Sequence, residues 1–102
     1  DGAVTEQRLD PRDLDIPAAP ADALRGGDVA FNTGVCRRLL AGERGAVRDA
    51  VLLNAAAALA VYEPTEAALV DRVKVAYARA EEAVDSGKAA DVLDRWVRSA
   101  TV

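Results

Sequence analysis

Arg25-Gly26-Gly27-Asp28 is the stretch of this chain whose residue types and spacing come nearest to a chemistry. Two glycines ahead of a helix could turn backbone N–H groups toward an anion, and the helix dipole would add to the attraction. Asn32, in the first turn that follows, could bring an amide to the same place. Gly26, Gly27 and Asn32 are therefore the candidate substrate-binding residues. The competing reading is structural: a tight glycine turn with Asp28 as the N-cap of the next helix. An aspartate carries the wrong charge for a phosphate. No Gly-Lys-Ser or Gly-Lys-Thr follows, so this is not a P-loop. The capping reading is the stronger of the two.

Other reactive residue types are sparse. Asp13 and Asp15 could lend carboxylates to a magnesium ion, but no ligand pattern surrounds them. Cys36 falls on an apolar helical stripe and reads as a buried small hydrophobe rather than a nucleophile. Asn54 interrupts an apolar run, where a buried unpaired amide would cost about 1–3 kcal/mol, so it is predicted to bond a neighbouring backbone or side chain. Arg48 and Asp49 are adjacent, do not face each other on a helix, and are each expected to pair with another segment. Glu81-Glu82 reads as a solvated face. The chain has no histidine and one cysteine. Histidine-based catalysis and multi-cysteine zinc sites cannot be built from it alone. No catalytic residue and no metal ligand is assigned.

The totals narrow the field. A net charge of −4, with basic residues scattered among acids, argues against nucleic acid as a partner. The residues are 51% hydrophobic but only 4% aromatic, and alanine and valine dominate. Alanine adds little buried area, so a core of 102 residues built this way is thin. The start is polar and shows no signal peptide, which predicts a cytoplasmic protein. The apolar run over residues 46–61 is too short and too alanine-rich to span a bilayer.

These residues need elements to position them. A weak alternation predicts a strand over residues 1–10. Residues 11–27 carry three of the four prolines and read as a Pro/Gly-rich connector, with a helical turn at 11–14 or 21–24. Residues 28–102 read as helical, in about four helices. The first is expected over 29–41, with Phe31, Val35 and Leu39 in one buried row and Gly42 just past its end. The second covers 46–61 and is apolar nearly all the way round, which predicts a core helix that packs in part against segments outside this chain. Pro64 ends it. Thr65 is expected to cap a third helix over 66–86, and Gly87 to separate it from a fourth over 88–100. Trp96 would anchor that last helix.

The order of these features resembles one enzyme family. Leu9-Asp10-Pro11-Arg12-Asp13-Leu14 is followed by Leu24-Arg25-Gly26-Gly27-Asp28 and Asn32. Leu40-Ala41-Gly42 and Gly45 come next, then Arg48-Asp49-Ala50-Val51-Leu52-Leu53-Asn54-Ala55-Ala56-Ala57-Ala58-Leu59, and finally Asp85-Ser86-Gly87-Lys88-Ala89. In this the chain is similar to the C-terminal portion of the anthranilate phosphoribosyltransferases. The resemblance implies a two-domain enzyme of the nucleoside-phosphorylase type, with this chain forming the C-terminal part of its α/β domain. It also implies transfer of phosphoribosyl from phosphoribosyl pyrophosphate to anthranilate in tryptophan biosynthesis, with magnesium on the diphosphate and a homodimeric assembly. The family's phosphate loop, substrate arginine and metal-binding acids match no stretch here, so the chain is expected to need the enzyme's N-terminal portion as its partner. The alternative is a free-standing helical interaction or dimerisation module without catalysis.

Overall fold

The computed structural model describes residues 2–63 and 65–101. Two short 3-10 turns, Pro11–Leu14 and Ala21–Leu24, precede four helices: α1 (Val29–Leu40), α2 (Ala46–Tyr62), α3 (Leu69–Asp85) and α4 (Lys88–Ala100). Both turn positions suggested by the prolines are occupied. There is no strand among the described residues. The strand expected over 1–10 is overturned: residues 2–10 have no regular structure, and Val4 is fully exposed. A strand needs a neighbour to satisfy its backbone groups, and no second strand exists among the described residues to supply one. Asp1 lies outside the described residues, as do Pro64 and Val102 on which other expectations rested.

Local chemistry explains where the elements begin and end. The Asp10 carboxylate accepts the Arg12 backbone N–H at 3.0 Å and caps the first turn. Asp15 then adopts a left-handed conformation with φ 61°, and the chain reverses so that Leu14 and Ile16 are both buried. Asp28 caps α1 by accepting the Phe31 N–H at 2.8 Å. At the other end Gly42 has φ +99°, a conformation that glycine adopts without steric cost. The Gly42 N–H reaches the Leu39 carbonyl, and the Glu43 N–H reaches that of Arg38, which is the Schellman ending. Thr65 does cap, accepting from the Ala67 N–H at 3.2 Å, but it closes a separate turn. Ala68 remains extended, so α3 starts at Leu69 rather than at 66.

The core is the contact between α2 and α3. On α2 the buried residues are Arg48, Leu52, Ala56 and Ala60, one i, i+4 row. On α3 they are Val73, Ala76, Ala80 and Val84. Leu14 and Ile16 from the connector close one end of this seam against Ala56, Ala60, Val73 and Ala76. Leu52, Ala80 and Val84 close the other. Small side chains on both helices let the backbones approach.

Apolar spacing and burial part company on two helices, and on α1 the expected buried row is not found. The second helix is not covered all round: Val51, Asn54, Ala55, Ala57, Ala58 and Val61 are exposed. In α1 only Leu39 is buried, while Phe31 and Cys36 are exposed. Helical spacing marks the apolar face, but whether anything covers that face depends on the neighbours present. The same holds for α4, which has no buried residue and leaves Trp96 70% exposed. An ion pair, Arg37 to Asp94 at 2.9 Å, ties α4 to α1.

Candidate functional site

The Arg25–Asp28 stretch and α1 form one wall of a groove whose other wall is α2. The groove holds about 510 Å³ and is lined by apolar groups, among them Leu24, Phe31, Val35, Cys36 and Val51. Gly26 and Asn32 sit at its rim. All three candidate binding residues are therefore brought together, but their polar groups bond one another. The Asn32 side chain accepts the Gly27 N–H at 2.9 Å and returns its own amide to the Gly27 carbonyl at 2.9 Å. Asp28 takes the Phe31 N–H. The Gly27 N–H, the Phe31 N–H and the Asn32 amide are thus engaged inside the loop.

The glycines fit this closed loop tightly. A Cβ on Gly26 would stand 3.1 Å from the Asn32 Oδ1, and one on Gly27 would stand 3.0 Å from the Phe31 ring. The first would press on the amide that holds the loop shut, and the second on the Phe31 ring at the start of α1. What remains open to a partner at this place is the apolar groove.

A second cleft of about 280 Å³ lies between the proline-rich connector and the start of α2. Ile16, Pro17, Pro20, Leu24 and Leu53 line it, with the Asp49 carboxylate at its edge. Arg12 also borders it, but the guanidinium is held by Asp10, with Nη2 to Oδ2 at 2.8 Å. That bond holds the Asp10 carboxyl below its usual range.

The strongest polar feature joins α2 to α3. Arg48 is 3% exposed, and its two terminal nitrogens donate to the two Asp85 oxygens at 2.8 and 3.0 Å. Glu81 stands 3.6 Å away as a further acid. The bidentate bond from Arg48 lowers the Asp85 pKa, and the same bond raises that of Arg48. Nearby Tyr77 is pushed up, first by burial and then by the Asp49 and Glu81 charges. Arg48 does pair with another segment, as expected. Its partner, 37 residues away, carried no signal in the sequence. Arg72 was missed altogether: it donates to the Ala60 carbonyl at 2.9 Å near the C-terminus of α2.

Asn54 donates to the Ala50 carbonyl at 2.8 Å, the backbone partner expected of it, but from an exposed position. Asp13 and Asp15 are both exposed. Among the described residues no group of three or more acids, cysteines or histidines could hold a metal ion. Asp13 and Asp15, exposed and without a third ligand beside them, do not suit magnesium.

Comparison with known proteins places the chain. Residues 1–90 match the model of the glycosyl transferase family, α/β domain. The anthranilate phosphoribosyltransferase of Thermobifida fusca is 57% identical over 99 residues, which cover 97% of this chain and 28% of that protein. That of Nocardioides is 59% identical over 96 residues, covering 94% and 28%. That of Streptomyces avermitilis is 52% identical over 97 residues, covering 95% and 27%. The chain thus spans little more than a quarter of the length of these relatives. No solved structure matches it. No described helix is long and apolar enough to cross a membrane. With the family model reaching from residue 1 to residue 90, the chain belongs to the α/β-domain glycosyl transferase family.

Proposed function

We propose that the chain is the C-terminal segment of an anthranilate phosphoribosyltransferase and serves catalysis only together with the N-terminal portion. In the whole enzyme the amine of anthranilate would take the phosphoribosyl group and pyrophosphate would leave. Positioning of the two substrates and stabilisation of the departing pyrophosphate would supply most of the rate. The observation that carries this reading is identity of 57% to a relative of that name along nearly the whole chain. The chain's own part is architectural. Asn32 and Gly27 close the loop before α1, and Arg48 with Asp85 fixes α2 against α3. A cytoplasmic homodimer with magnesium on the diphosphate belongs to the same proposal and rests on the family resemblance alone.

The free-standing module would have to cover its core by itself. Its radius of gyration is 15.6 Å, against about 13 Å for a compact domain of this length. The test is loss of anthranilate in the presence of phosphoribosyl pyrophosphate. The isolated chain should show none, and its co-expression with the remainder of the Thermobifida fusca protein should restore turnover. Turnover by the 102 residues alone would overturn the proposal.

A further inference from the structure

The outer side of α2 carries a seam. No charged residue occurs from Ala50 to Tyr62. Val51, Ala55, Ala58 and Tyr62 all lie exposed, and they recur at intervals of four, three and four, the spacing along which one helix meets another. This stripe is separate from the row of α2 that is buried against α3. The nearest polar side chain, Asn54, is turned onto the Ala50 carbonyl. The exposed side of α3 is different in kind and presents Asp71, Lys74, Arg79 and Glu82.

The stripe is complementary to itself. In a contact between identical copies each residue meets a fixed mate. With two α2 helices laid antiparallel about a two-fold axis between Ala56 and Ala57, Ala55 faces Ala58 of the second copy and Val51 faces Tyr62. The small residues fall at the centre, where the backbones must approach. No like charges are opposed, because the face holds none. The outer pair also has a hole to fill. Val51 lines the 510 Å³ groove between α1 and α2 together with Phe31, Val35 and Cys36. Tyr62 stands 82% exposed, an apolar ring with a hydroxyl that can stay in water. In this register each copy's Tyr62 ring meets the other's groove.

The area agrees. The chain exposes 7689 Å², whereas a folded monomer of this mass exposes about 5,500 Å². The excess, about 2,200 Å² per chain, matches the roughly 1,000–2,500 Å² that each partner of a permanent dimer buries. We infer that the 102-residue chain pairs with a second copy of itself through the outer stripe of α2, antiparallel, with Tyr62 of each copy seated in the α1–α2 groove of the other.

The test is sedimentation equilibrium of the 102-residue chain. The chain should run at twice its 10.7 kDa, and its melting temperature should rise with concentration. Val51→Glu and Ala58→Glu each bury a charge in the dimer alone and should raise its dissociation constant about 100-fold or more. Tyr62→Ala should raise it about tenfold or more. Lys74→Glu, on the charged side of α3, should leave it unchanged. A mixing experiment checks the register and the folding of the variants together. Ala55→Lys and Ala58→Glu chains should each be monomeric alone and pair when combined, since only the mixed pair sets a lysine against a glutamate. A wild-type chain that is monomeric, or whose unfolding does not depend on concentration, overturns the inference. So does a dimer that tolerates both glutamates, or a mixture in which the lysine and glutamate variants do not pair. Each of these results leaves the functional reading standing, because that reading is tested by turnover and not by mass.

Discussion

Asn32 shows how a residue that looks like a ligand contact can be spent on the fold. Its amide satisfies both backbone groups of Gly27, so Asn32→Ala should cost about 1–2 kcal/mol in urea unfolding, the net worth of two such bonds. Asn54 makes a single bond to its own helix in the open, and Asn54→Leu should alter the stability of the isolated chain by less than about 0.5 kcal/mol. Asp85 gives the chain its clearest pH response. Its folded-state pKa is lowered by Arg48, below the unfolded value of about 3.9. The bond therefore adds stability above that value, and the contribution fades as pH falls through the lower folded-state pKa. Asp85→Asn should flatten the acid limb of a stability profile measured below pH 5. Asp10, paired with Arg12 on the surface, contributes a slope of the same sign. Caps such as Asp28 were legible in the sequence because they act over three residues. The Arg48–Asp85 pair was not, because nothing local links positions 37 apart.

Among the elements, α2 carries the core, but along one row only. Leu52 is 1% exposed and touches Ala80 and Val84 across the seam. Leu52→Ala should cost about 2–5 kcal/mol, read from the urea midpoint, since the small residues around it cannot collapse into the gap. The position of α2 was legible from its apolar run, Gly45 before it and Glu63 after it. Its surroundings were not, because an apolar face marks what must be covered and says nothing of where the cover lies. Phe31 and Cys36 in α1 and Trp96 in α4 show the same gap between spacing and burial. The N-terminal strand failed for a related reason. Alternation over Val4, Glu6 and Arg8 describes a ribbon, but a ribbon without a ladder is only extended chain.

At the scale of the whole molecule, the chain is a set of helices that exposes more surface than a self-contained domain of its mass. Among the described residues the core forms two small clusters, and the one buried charge, Arg48, ties α2 to α3. The Asn32 amide and the Gly27 backbone, which the sequence offered as binding groups, are engaged with one another. In the proposed function the chain is a structural part of a phosphoribosyltransferase whose reacting groups lie elsewhere. The most direct test is the initial rate of phosphoribosyl transfer to anthranilate by a full-length chimera, the Thermobifida fusca protein carrying this chain in place of its own matching residues, set beside that of the isolated chain. The account predicts turnover by the chimera within about tenfold of its parent, a difference of about 1.4 kcal/mol in barrier, and none by the chain alone. A chimera that folds but turns over no anthranilate, or a chain that does so unaided, would contradict it.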